Sequence, residues 1–355
     1  MAATRGFLLS RVLWMSRSLL PEFIPAASRA DIGKTTTSES CHRHSSVRRR
    51  CHGRDEAVRL AYTHYKPDDT AKSTTLPPII VLHGLFGCRR NWDAVSPAVA
   101  RATGRNVFAV DLRNHGDSPH SDHMDYPLMR ADLELFFRDR GFSRVSFVGH
   151  SMGGRVAMSF AVNTPDVVER LVVVDIAPSY LPPALTVQWL PWQIQAMETI
   201  LWLLSPHMSL DQARQVADQF LSSQITKPYV REFLLTNLRK GPRMFEWQLN
   251  LKAIKQNLKA VVALDYLDNG GSDVDTLFIS GEDSIYIHAE GHEAIKPSFP
   301  NARIVAIKGT SHFVYKDKPE EFVTLVRDFM SEASSGVFEE NEEFRVEEPK
   351  IRHVP

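Results

Sequence analysis

Cysteine is almost absent from this chain. Of three in 355 residues, Cys41 and Cys51 stand near the N-terminus and only Cys88 lies in the part with globular texture. That excludes a disulfide framework. The cluster Cys41-His42, His44 and Cys51-His52 matches no common zinc-ligand spacing, and its Ser/Arg/Thr surroundings cannot build an orienting shell, so no metal is expected. Net charge is missing as well: 42 Lys and Arg balance 42 Asp and Glu, which removes any global electrostatic case for nucleic acid. Nowhere is there a stretch of about 20 uncharged apolar residues, so no transmembrane segment is expected. No G-x-G-x-x-G follows the first buried-strand run, which excludes a dinucleotide fold, and no cofactor is expected. An internal repeat is lacking too.

What is present begins with an uneven distribution of charge. Arg5, Arg11 and Arg17 interrupt Phe7-Leu8-Leu9 and Val12-Leu13-Trp14, giving an amphipathic, Arg- and Ser-rich, acid-poor segment. That composition predicts a mitochondrial transit peptide and a matrix location. A secretory signal would need an unbroken apolar core. Residues 1–55 are read as this leader. The Glu-rich residues 331–355 are read as a disordered acidic tail. The length and the 43% hydrophobic content suit one large domain over residues 56–330.

Inside that domain, short apolar runs alternate with helix-length segments. Val58-Arg59-Leu60-Ala61-Tyr62 alternates like an edge strand. Ile79–Leu82, Val107–Val110, Val145–Val148, Leu171–Val174, Thr276–Ile279 and Arg303–Ile307 read as buried strands. The alternation predicts an α/β fold with a mainly parallel central sheet flanked by helices. Between Ile176 and about Asp273 the strand texture disappears. Trp189, Trp192, Trp202, Trp247, Phe220 and Phe233 predict a helical cap at about residues 178–273, mostly cap–core packing with a few side chains lining an apolar pocket.

Gly149-His150-Ser151-Met152-Gly153 follows the third of these buried strands and opens a helix-like segment. It is a nucleophile elbow: Ser151 sits on a strained strand-to-helix turn that only small neighbours permit. Its hydroxyl needs a base, and His312, after the last strand, stands in the chain order this architecture expects. The acid has two candidates. Asp283, in Gly281-Glu282-Asp283-Ser284, falls one residue short of the G-x-x-D position, which Ser284 holds. Asp175 ends a β-branched strand, where a carboxylate is costly to bury unless paired. Asp175 is favoured, with Ser284 as an auxiliary hydroxyl and Asp283 as the alternative acid. Two backbone donors must hold the oxyanion: Met152, after the nucleophile, and Leu85, in His83-Gly84-Leu85-Phe86-Gly87. His83 and Asp111 read as structural residues of their turns.

These stretches resemble the α/β-hydrolase family, and within it the subfamily of alpha/beta-hydrolase domain-containing protein 11. Asp111 to His120, Gly149 to Gly154, Val174 to Pro178 and Leu234 to Leu238 carry the likeness. The resemblance implies a mitochondrial serine hydrolase acting on acyl esters, diacylglycerols included, and a partner in the lipoylated 2-oxoglutarate dehydrogenase complex. It also places the acid at Asp175 and a serine at Ser284. Another scheme in this subfamily uses an aspartate in an Asn-Leu-Asp cap stretch, but here Asn250-Leu251 is followed by Lys252. Two other functions stay open at this point: acyl transfer to an alcohol, which fungal relatives perform, and a non-catalytic guardian of a dehydrogenase complex.

Overall fold

The computed structural model describes residues 57–68, 76–179, 181–182, 185–263, 267, 270–287 and 289–331. The leader lies outside these residues, as does the acidic tail apart from Ser331, which closes the helix Pro319–Ser331.

Five strands come first: β1 (Tyr62–Tyr65), β2 (Ile79–Leu82), β3 (Val107–Val110), β4 (Val145–His150) and β5 (Val168–Val174). A hairpin of β6 (Leu238–Lys240) and β7 (Phe245–Trp247) stands apart, and β8 (Thr276–Gly281) and β9 (Arg303–Ile307) complete the main sheet. Its order is β1-β3-β2-β4-β5-β8-β9, parallel except for the antiparallel edge strand β1.

The runs read as continuously apolar because both faces of the sheet are covered. Ile80, Leu82, Phe147, Leu171 and Val173 pack on one side with Phe136 and Phe160 of the helices Tyr126–Arg140 and Met152–Asn163. Ile79, Val81, Val148, Val172 and Val174 pack on the other with Val99 and Phe329 of the helices Ser96–Thr103 and Pro319–Ser331. Each such fully buried side chain stabilises the fold by about 1.5–3 kcal/mol relative to exposure.

Two sequence expectations shift. The edge strand lies at Tyr62–Tyr65, not Val58–Tyr62. In the earlier backbone the N–H groups go to side chains, Val58 to the Asp132 carboxylate at 2.7 Å and Ala61 to Ser118 Oγ at 2.9 Å, while the Ala61 carbonyl accepts from the Asp111 N–H at 2.8 Å. The insert after β5 contains the helices Leu190–Leu203, Leu210–Ser222, Pro228–Leu235 and Leu251–Val262, as expected, but also the β6–β7 hairpin. Two three-residue strands, Leu-Arg-Lys and Phe-Glu-Trp, are too short to show a period-2 pattern. Trp202 departs from the packing role, since 89% of it is exposed.

Leaving β2, the chain builds β3 on one side, then returns to lay β4 on the other. Ligand crevices form at the carboxyl ends of strands at such a reversal. Leu85 follows β2 there, and Ser151 follows β4.

Candidate active site

Ser151 joins β4 to the helix Met152–Asn163 at φ 52° and ψ −119°. A non-glycine residue held in that region stores about 1–3 kcal/mol of strain, kept only because the surroundings over-determine it. Here the Ser151 N–H donates to the Val174 carbonyl at 2.9 Å and the Ser151 carbonyl accepts from the Arg155 N–H at 3.1 Å. The glycines make the crossing possible. A Cβ on Gly149 would lie 2.6 Å from the Gly153 carbonyl oxygen, and one on Gly153 would lie 2.6 Å from the Leu82 carbonyl oxygen.

β5 lies beside β4 and carries Asp175 at its end, also at φ 52° and fully buried. Its carboxylate collects three donors from separate segments. Oδ1 accepts from the Gly281 N–H at 3.0 Å, and Oδ2 accepts from His312 Nδ1 at 2.6 Å and from Ser284 Oγ. The turn after β8 closes with the Ser284 N–H on the Gly281 carbonyl at 3.1 Å, so the serine faces inward while Asp283 is exposed and its N–H donates to the Thr310 carbonyl at 2.9 Å. The carboxylate facing the imidazole is therefore that of Asp175. Asp283 makes no hydrogen bond to His312.

With Nδ1 donating to a carboxylate, His312 keeps Nε2 as its second ring nitrogen, in the tautomer a general base requires. Ser151 Oγ makes no hydrogen bond to His312, although both line one cavity. Such contacts tighten around bound substrate. Leu85 and Met152 line the same cavity, and their N–H groups meet no acceptor among the described residues. Met152 opens a helix, whose N-terminal dipole favours an anion.

Three histidines around the site are buried and structural. His83 donates from Nδ1 to the Gly84 carbonyl at 2.9 Å and accepts from the Leu112 N–H at 3.0 Å, so burial pulls its pKa down to about 4. Burial, with His83 nearby, lowers His115 to about 3; its Nε2 accepts from the Phe86 N–H at 3.3 Å. His150, held well below its ordinary value by burial and by His312, donates from Nε2 to the His312 main-chain carbonyl at 2.9 Å. The sequence pointed to His83 alone for the task of orienting the loop.

Two further residues escaped sequence reasoning. Tyr286 stacks on the His312 ring at 3.5 Å between centroids and 10° between planes, and its N–H donates to Ser284 Oγ at 3.1 Å. Burial and the Asp175 charge push its phenol upward. Asn237 of the cap donates from Nδ2 to the Phe86 carbonyl at 2.7 Å. The only available signals were proximity: Tyr286 stands two residues beyond Ser284, and Asn237 lies in the stretch Leu234 to Leu238.

The cavity itself is about 390 Å³ and mainly apolar, with Leu185, Trp189 and Phe233 of the cap among its lining and Arg155, Gln193, Gln224 and Lys227 as polar members. No group of three or more His, Cys, Asp or Glu that could hold a metal occurs among the described residues. No described helix is long and apolar enough to cross a membrane.

The chain is similar to known proteins in sequence and fold. The α/β-hydrolase fold family matches residues 77–319. A mouse protein named sn-1-specific diacylglycerol lipase ABHD11 is 39% identical over 257 residues, covering 72% of this chain and 82% of its own. Esterase YbfF of Escherichia coli is 28% identical over 256 residues, with 72% and 93% covered. The solved structure of a marine microorganism esterase superposes with a TM-score of 0.65 at 29% identity, covering 77% of this chain and 100% of its own. The chain belongs to the α/β-hydrolase family, among its carboxylic ester hydrolases.

Proposed function

We propose that this chain hydrolyses lipid-like acyl esters, diacylglycerol among them, through an acyl intermediate on Ser151. The observation that carries the reading is Asp175 bound to His312 Nδ1 at 2.6 Å, beside an apolar cavity that Ser151 shares with His312. In this mechanism His312 Nε2 takes the Ser151 proton as Oγ attacks the ester carbonyl, and the negative charge moves to the carbonyl oxygen. The Leu85 and Met152 N–H groups receive that oxyanion. The imidazolium, stabilised by Asp175, then protonates the departing alcohol, leaving the acyl-serine. Water, deprotonated by the same nitrogen, attacks the acyl group and releases the acid and free Ser151. Ser284 acts through Asp175, holding its carboxylate against the histidine.

The mainly apolar walls suit an acyl chain, and the mouse relative's name supports the diacylglycerol substrate. The basic leader supports import into the mitochondrial matrix, where upkeep of the lipoylated 2-oxoglutarate dehydrogenase complex rests on the subfamily resemblance alone. N-terminal sequencing of organelle-derived protein tests the location, and a start at Met1 counts against it. For the chemistry, a fluorophosphonate probe labels Ser151. Ser151→Ala abolishes that labelling and costs at least about three orders of magnitude in kcat. Labelling that survives in Ser151→Ala puts the nucleophile elsewhere. Ester formation outpacing hydrolysis in aqueous ethanol would make the protein an acyltransferase instead.

A further inference from the structure

The helix Leu190–Leu203 presents a buried face to the domain, made of Ile194, Ala196, Met197 and Ile200. One member of that face is not carbon. Gln193 is 5% exposed and lines the cavity that holds Ser151 and His312. Its side-chain amide makes no hydrogen bond to any described residue. Ser284 bonds Asp175 and the Tyr126 hydroxyl bonds the Val261 carbonyl at 2.7 Å, whereas His150 bonds the His312 carbonyl through Nε2 and keeps a buried Nδ1 without a partner among the described residues. Gln193 has none among the described residues.

The amide nitrogen and oxygen are open to the cavity, and excluding solvent from them without supplying a hydrogen bond costs free energy. A leucine at this helical position would satisfy packing alone, as its neighbours do. The amide also carries both a donor and an acceptor, which is what a hydroxyl group, itself donor and acceptor, can satisfy. Placed in a mainly apolar pocket and bonded to no protein group, it is matched to a polar group arriving with the ligand.

We propose that Gln193 is a specificity-determining residue that hydrogen-bonds a hydroxyl on the alcohol portion of the substrate. It thereby selects partially acylated polyols over simple alkyl esters of the same acid. The proposal rests on the ester-hydrolase reading above. It is favoured by the asymmetry of such recognition: a site built to bond a substrate hydroxyl discriminates strongly against the analogue lacking it, because its own polar group is then left unmet.

The test compares two esters of one acid, a glyceryl monoester with free hydroxyls and the propyl ester, on wild-type full-length chain and on Gln193→Leu and Gln193→Met. In both variants kcat/KM for the glyceryl ester falls about 10- to 100-fold, carried mostly by KM, while the propyl ester changes less than about threefold. The melting temperature stays level or rises, since an unmet amide has been replaced by carbon. Having two variants guards against one misfolding. Equal losses on both esters, or a fall in melting temperature in both variants, would make Gln193 a packing residue and overturn the proposal. Wild-type protein that hydrolyses neither ester and leaves Ser151 unlabelled overturns the ester-hydrolase reading instead, and with it the assignment of Gln193.

Discussion

Replacing Asp175 by asparagine removes one charge at nearly constant volume, and the three donors gathered on that carboxylate set the consequence. The carboxylate accepts from Gly281 N–H, His312 Nδ1–H and Ser284 Oγ–H, and is fully buried. Asparagine offers one acceptor oxygen and an NH2 group, so at least one of those donors must face another donor. If the NH2 faces His312, the imidazole moves its proton to Nε2 and can no longer take the one on Ser151. In a serine-protease triad the same change costs about 10⁴ in kcat, or roughly 5.5 kcal/mol at 1.36 kcal/mol per decade. Ser284→Ala removes one of the three donors and leaves the other two, a loss of about 1–3 kcal/mol, or roughly 5- to 150-fold. Asp283→Asn changes an exposed carboxylate screened by water and costs less than about tenfold. Turnover of a chromogenic short-chain ester reads all three, with circular dichroism to verify folding. An inactive Asp283→Asn beside an active Asp175→Asn would refute the assignment.

Two other outcomes come from the same geometry. His83 and His115 are buried and neutral, lowered from 6.5 to about 4 and about 3. The unfolded chain therefore binds more protons than the native one below pH 6.5, so their contribution is fully present above that pH and is lost as pH falls toward 4. At 1.36 kcal/mol per unit, each histidine removes about 2 kcal/mol by pH 5, or about 4 kcal/mol together; chemical denaturation at pH 7 and pH 5 showing a difference under about 1 kcal/mol would count against it. Gly153→Ala drives a methyl group against the Leu82 carbonyl oxygen, 2.6 Å away, pushing the elbow off β2, with probe labelling of Ser151 lost before the far-UV spectrum changes. Unchanged labelling in that variant would show that the elbow has slack.

Much of the fold was legible in the sequence because both faces of the sheet are covered. A strand buried twice reads as an unbroken apolar run, so β2 and β3 have the bounds expected of them; β9 has its expected bounds too, although it is a largely half-buried edge strand. The elbow was legible because few turns demand glycine on both sides of a serine. The preference for Asp175 over Asp283 came from burial cost, and the three donors on its carboxylate are the compensation that argument required. β1 was misplaced because its register is set by antiparallel pairing with the distant β3, while Asp132 and Ser118 hold the Val58 and Ala61 N–H groups that precede it. The hairpin was hidden by its shortness. Tyr286, His115, His150 and Gln193 were missed for one reason: each takes its role from a neighbour brought close only by folding.

The bond from Asn237 to the Phe86 carbonyl ties the cap to the loop that carries Leu85. Cap and catalytic face are thus not separable modules. A designer who exchanges the cap for that of another hydrolase, hoping to import a new pocket, would also cut the tether that steadies the loop of Leu85, one of the two donors proposed for the oxyanion. The graft would change what the enzyme accepts and weaken how it reacts. Transplanting the asparagine along with the new cap would be the minimum needed to keep those two properties independent.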